Sequence, residues 1–206
     1  DGVMLSYSGD AYPLGLPPEA GFMVVPAATG AKDEARRVAG ELREALGADA
    51  VAVHAPEEPS DVAGLWRWRA GAAFAAIAQR GGAYSEDIAV PLDRLRDVAR
   101  ETLEIGARHG VSALSFGHAG DGNIHYNVTQ PAGADGAAFL KRWDEVNKVV
   151  FEVVTRLGGS ISAEHGIGIQ KRDKLPNYKD PVALDLMRTL KRALDPNGIL
   201  NPGNVL

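Results

Sequence analysis

Two histidines flank a glycine-rich segment in Gly117-His118-Ala119-Gly120-Asp121-Gly122-Asn123-Ile124-His125-Tyr126-Asn127, and their spacing carries the first chemical suggestion. The turn residues between them read as the loop of a β-hairpin. With Gly120–Asn123 as the turn, His118 pairs directly with His125 on one face of the hairpin. Cβ atoms of such a cross-strand pair lie about 4.5–5.5 Å apart, close enough for two imidazoles to reach one ion at metal–nitrogen distances of about 2.0–2.1 Å. Asn127 lies two residues beyond His125 and points to the same face. A second segment, Gly158-Gly159-Ser160-Ile161-Ser162-Ala163-Glu164-His165-Gly166-Ile167-Gly168, offers a carboxylate and an imidazole among small residues. Glu164 completes a set of two histidines and one carboxylate with open positions for substrate or water, and His165 is left uncommitted. Spacing alone leaves a second reading open: strand histidines that only pack, a surface Glu164, and an Asp121 that serves the turn. His54 and His109 are read as packing residues. Trp66-Arg67-Trp68-Arg69 is either helix packing with solvated arginines or, beside a pocket, a bidentate carboxylate clamp.

The elements that must hold these residues follow from periodicity. Strand candidates are Phe22–Val25, Ala50–His54, Ser85–Val90, Val111–His118 and Ile124–Val128; helix candidates are Ala31–Leu46, Val62–Arg80, Leu92–His109, one long helix Gly133–Leu157, and Pro181–Leu194. Residues 1–20 read as an irregular lead-in, and Gly81-Gly82 as the stop of the second helix. Helix and strand alternate, but the hairpin requires an antiparallel sheet, so an α+β fold is expected. Residues 171–192 carry seven Lys/Arg, read first as a solvated face and second as a surface meeting another domain or an anionic partner.

Composition narrows the function classes. A chain of 206 residues with 45% hydrophobic residues can bury a core, and a net charge of −5 lacks the basic footprint of a nucleic-acid binder. Glycine stands at 24 residues, many of them in the two segments above. The absence of cysteine excludes thiolate ligands and disulfides and fits a reducing, cytoplasmic compartment. No apolar run approaches the roughly 20 residues of a membrane span. The chain starts at Asp1 without an initiator Met, which suggests part of a longer protein.

Gly117–His125, Ser162–Gly168 with Lys171, and Leu194–Gly203 (LDPNGILNPG) resemble, in that order, the C-terminal substrate domain of FAD-linked oxidases of the vanillyl-alcohol-oxidase type. That group includes flavin-dependent D-lactate dehydrogenases, the glycolate oxidase D subunit and D-2-hydroxyglutarate dehydrogenase. Trp66–Arg69 and Ser85–Pro91 are similar to two further blocks. The resemblance implies a ferredoxin-like antiparallel sheet packed with helices, residues 1–206 forming a substrate or cap domain over FAD held mainly by an N-terminal domain absent from this chain. It implies a divalent zinc, iron or manganese ion on His118, His125 and Glu164, His165 as the base, Arg69 and Asn127 holding substrate, and Asn201 of the NPG block near the flavin. The implied reaction oxidises a 2-hydroxy acid to the 2-oxo acid, with electrons passing from FAD to a downstream acceptor; a homodimer is compatible with it. Tyr84-Ser85-Glu86-Asp87 replaces a Tyr-Lys-Tyr-Asp pattern of hydroxyglutarate-type members, so a small hydroxy acid of the D-lactate or glycolate type is expected. Two rivals are a metal-dependent hydrolase using the same three ligands and a non-catalytic ferredoxin-like binding module.

Overall fold

The computed structural model describes residue 12 and residues 15–17, 19–80, 83–130 and 133–206; most of the expected lead-in and the Gly81-Gly82 stop lie outside these. The chain divides into two compact units, Asp1–Gln79 and Arg80–Leu206. In the first, helix α1 (Lys32–Gly47) matches its expected span, and α2 (Pro59–Arg80) begins three residues early. The strands expected at Phe22–Val25 and Ala50–His54 do not form. Phe22, Val24, Val51 and Val53 are exposed, and without a hydrogen-bonded neighbour an apolar run does not become a strand.

The second unit contains β1 (Ala83–Ala89), α3 (Leu95–Arg108), β2 (Ser112–His118), β3 (Asn123–Thr129), α4 (Gly136–Lys141), α5 (Trp143–Arg156) and α6 (Pro181–Leu194). The three strands form an antiparallel sheet in the order β1-β3-β2. This βαββα order is the ferredoxin-like pattern. In place of a fourth strand, Ser160 makes a single antiparallel bridge to Ala89 on the β1 edge.

Strand alternation gives the sheet two unlike faces. Tyr84, Ile88, Ile124, Tyr126 and Val128 point into the core with Val98 and Ile105 of α3 and Val146, Val150 and Val154 of α5. The Tyr126 hydroxyl donates to the Thr102 carbonyl of α3 at 2.9 Å, satisfying a buried polar atom. Ser85, Asp87, Asn123, His125 and Asn127 share the other face.

The helix expected over Gly133–Leu157 is broken at Arg142, which closes α4 and opens α5. The break lets Phe139 and Trp143 both stack on Tyr84, with ring centroids 5.3 and 5.2 Å away. Arg142 donates to the His109 carbonyl at 2.8 Å. The last helix matches its expected span: Asp180 caps it by accepting from the Ala183 N–H at 3.0 Å, and Pro181 occupies the first turn. Among the described residues no helix is long and apolar enough to cross a membrane.

Candidate metal and substrate site

The hairpin forms, but its register is not the expected one. His118 pairs with Asn123, and Phe116 pairs with His125. The loop is therefore Ala119–Gly122, one residue nearer the N-terminus than Gly120–Asn123. Asp121 sets it: its Oδ1 accepts the Asn123 backbone N–H at 3.1 Å, drawing Asn123 into β3. Gly122 adopts φ +78°, and a Cβ there would overlap the Val90 carbonyl oxygen, so only glycine fits. The slip changes each partner by two residues, an even number, and so keeps both histidines on one face. They meet diagonally, with ring centroids 6.3 Å apart.

Glu164 and His165 arrive on the loop that follows the Ser160 bridge. His125 Nε2 lies 2.9 Å from Glu164 Oε1, and the Nε2 atoms of His118 and His165 each lie 3.8 Å from that same oxygen. Three imidazoles from two chain segments therefore surround one carboxylate oxygen. Among the described residues, Asp87, His125, Glu164 and His165 offer ligand atoms that all lie within 4.8 Å of one another; His118, expected as a ligand, is not in that group. His125 is buried, whereas the His118, Glu164 and His165 side chains are about half exposed or more. Burial lowers the pKa of His125 and outweighs the nearby Asp87 and Glu164 carboxylates that raise it, favouring neutral imidazole. Neutral nitrogen lone pairs beside a carboxylate are a donor set suited to a cation.

Asp87 was not singled out by its sequence context, yet it joins the two segments. Its Oδ1 accepts from Asn123 Nδ2 at 2.9 Å, and its Oδ2 accepts the backbone N–H groups of Ala163 at 3.0 Å and His165 at 2.8 Å. Burial alone would raise its pKa; these donors more than reverse that and hold it below the ordinary carboxylate value. The available signal was two consecutive acids in the middle of a strand, a place where Asp and Glu are depleted.

The remaining expected residues are placed as follows. Asn127 is buried on the site face, its amide donating to the His125 carbonyl at 3.1 Å. Arg69 is exposed on α2 of the first unit. Asn201 has φ +47° and accepts from Asn204 Nδ2 at 2.7 Å. His109 is partly buried beside Glu145, as expected of a packing residue. His54 is exposed and stacks on Tyr12, with ring centroids 5.7 Å apart. In the basic stretch, Lys171, Arg172, Lys174, Arg188 and Lys191 each have a carboxylate partner within the same unit.

The model of the C-terminal domain of FAD-linked oxidases matches residues 1–205. The chain belongs to this family. A D-2-hydroxyglutarate dehydrogenase of Stutzerimonas stutzeri is 40% identical over 59% of the chain and 27% of its own length. The mitochondrial D-2-hydroxyglutarate dehydrogenase of Bos taurus is 42% identical over 64% of the chain and 23% of its own length. Glycolate oxidase subunit GlcD of Bacillus subtilis is 32% identical over 76% and 33%. The chain thus spans about a quarter to a third of these relatives. Among solved structures, p-cresol methylhydroxylase with substrate bound shares the fold at a TM-score of 0.56 and 16% identity, over 98% of this FAD-oxidase domain and 45% of that chain.

Proposed function

We propose that this domain is the substrate side of a flavin-dependent dehydrogenase that oxidises a small D-2-hydroxy acid to the 2-oxo acid, with FAD held by a separate N-terminal domain. The observation that carries this reading is the convergence of His118, His125 and His165 on Glu164 Oε1 in a domain of the FAD-linked oxidase family. The relatives named as D-2-hydroxyglutarate dehydrogenases and as a glycolate oxidase subunit support the reaction class.

His118, His125 and Glu164 would hold a zinc, iron or manganese ion. When bound, such an ion supplies Lewis acidity at the 2-hydroxyl and the flavin supplies the hydride acceptor. His165 accepts the hydroxyl proton at Nε2, the nitrogen nearest Glu164, and its 65% exposed side chain lets the proton pass on to water. Asn127 presents its amide on the same face as His125. The family resemblance assigns the substrate carboxylate to Arg69, whose two parallel N–H donors would aim the C2–H bond at the flavin. Asn201, in the segment that resembles the family's NPG block, would lie near the flavin.

Ser85 supports a small substrate. It pairs with Asn127 on the site face of β1, where a lysine would offer a cation to a second carboxylate. D-Lactate or glycolate should therefore give a higher kcat/KM than D-2-hydroxyglutarate in the full-length enzyme, and the reverse order overturns this assignment.

Metal analysis tests the centre. The full-length protein should contain about one divalent ion per chain, and His118→Ala and His125→Ala should lose both the ion and turnover. Retention of metal and activity in both variants removes the proposed ligand set. Ester or amide hydrolysis without flavin would instead favour the hydrolase.

A further inference from the structure

Glu86 and Asp87 are adjacent on β1, so their side chains leave opposite faces of the sheet, yet both act on the same loop. Asp87 holds it from the site face, where its Oδ2 takes the N–H groups on either side of Glu164. Glu86 holds it through Lys171. The Lys171 ammonium lies 2.9 Å from Glu86 Oε2 and donates to the carbonyls of Asp87 at 3.2 Å and Ile161 at 2.6 Å. Glu86 is itself fixed by the Trp143 indole N–H at 3.0 Å and by the Asn147 amide. The Lys171–Glu86 pair is buried and lies against the Phe151 ring, 5.5 Å from the ammonium.

A buried ion pair is weak evidence for stability, because desolvation offsets its attraction. Its contacts here have a geometric result. The loop is fixed before Glu164 at Ile161 and after it at Lys171, with Asp87 gripping both neighbours of Glu164 between those points. Ser160 adds the bridge to Ala89. His118 and His125 need no such brace, since the sheet already holds them.

We propose that Asp87 and Lys171 are positioning residues that set Glu164 and His165 against the hairpin histidines. Both Asp87 oxygens accept protein donors, and His125 Nδ1 is 3.7 Å away, beyond hydrogen-bond length. Asp87 acts on the centre through the loop. Lys171 acts from behind β1.

This inference rests on the metal-centre reading and is tested with Co²⁺ alone on the full-length protein. The visible absorption of bound Co²⁺ reports ligand geometry independently of turnover. Asp87→Asn should weaken Co²⁺ binding about 10–100-fold, the usual effect of losing a group that orients ligands, and should change the Co²⁺ spectrum. The double variant Lys171→Met/Glu86→Gln leaves no lone buried charge and alters no residue of the proposed ligand set. It should change the spectrum in the same sense while retaining native circular dichroism. An unchanged spectrum and affinity in the folded double variant overturn the role of Lys171, and the same result in Asp87→Asn overturns that of Asp87. Should Asp87→Asn not fold, Asp87→Glu, which keeps the charge but moves the carboxylate that accepts the Ala163 and His165 N–H groups, replaces it, and an unaltered Co²⁺ spectrum then overturns the role of Asp87. If His125→Ala keeps wild-type Co²⁺ binding, the metal reading itself fails, a separate result.

Discussion

At the residue scale, His125 of the hairpin and His165 of the 160s loop have different surroundings. His125 is buried between two carboxylates, whereas the His165 side chain is 65% exposed, which suits a group that must exchange protons with solvent. His165→Gln is accordingly expected to lower kcat by about 10²–10⁴-fold, the usual range for a lost general base, while metal content stays at the wild-type level. Loss of metal in that variant would move His165 from the base to the ligand set. The residues that converge at the candidate site were legible in the sequence because His118, His125, Glu164 and His165 sit in short, unusual glycine-rich contexts. Asp87 was not, because its partners are backbone N–H groups 76 and 78 residues away, and no local pattern encodes a contact of that kind.

At the scale of elements, the comparison turns on what local pattern can and cannot determine. The α1 and α6 helices matched because amphipathic spacing and end residues decide them locally. The break at Arg142 was invisible because it serves stacking of Phe139 and Trp143 on Tyr84, a contact with another strand. The hairpin register differs by two residues from the expected one because Gly120-Asp121-Gly122-Asn123 has a turn-favouring residue at every position; the deciding contacts are made by Asp121 within the loop and by Val90 beside Gly122. Gly122→Ala tests that account. It combines a positive φ with overlap against a carbonyl, and it should destabilise the domain by at least about 2 kcal/mol, read as a lowered thermal midpoint. An unchanged midpoint would mean that Val90 and the loop separate at little cost.

For the molecule as a whole, one carboxylate gathers the start of the C-terminal segment. Asp195 accepts from the Ile199 N–H at 2.9 Å, the Leu200 N–H at 3.0 Å and the Lys191 ammonium at 2.6 Å. The Lys191 bond, aided by the two backbone N–H groups, holds its pKa below the ordinary value. A depressed carboxylate stabilises the fold above its unfolded pKa of about 3.9 and loses that contribution as pH falls through the lower folded value. Acidification below about pH 4 should therefore shift the Ile199 and Leu200 amide resonances together, and Asp195→Asn should show the shifted positions at neutral pH. Independent titration of the two amides would show that Asp195 does not anchor them.

The central place of β3 has a further consequence. It is hydrogen-bonded along both edges and buried along its whole length, so its amides exchange with solvent only when the sheet itself opens, at a cost near that of global unfolding. The 161–171 loop is held instead by side-chain and backbone bonds to Asp87 and Lys171, outside any strand ladder. The Ala163 and His165 amides are therefore expected to exchange faster than those of Ile124 and Tyr126, so the hairpin side of the candidate site is as durable as the fold and the loop side is only as durable as its ties.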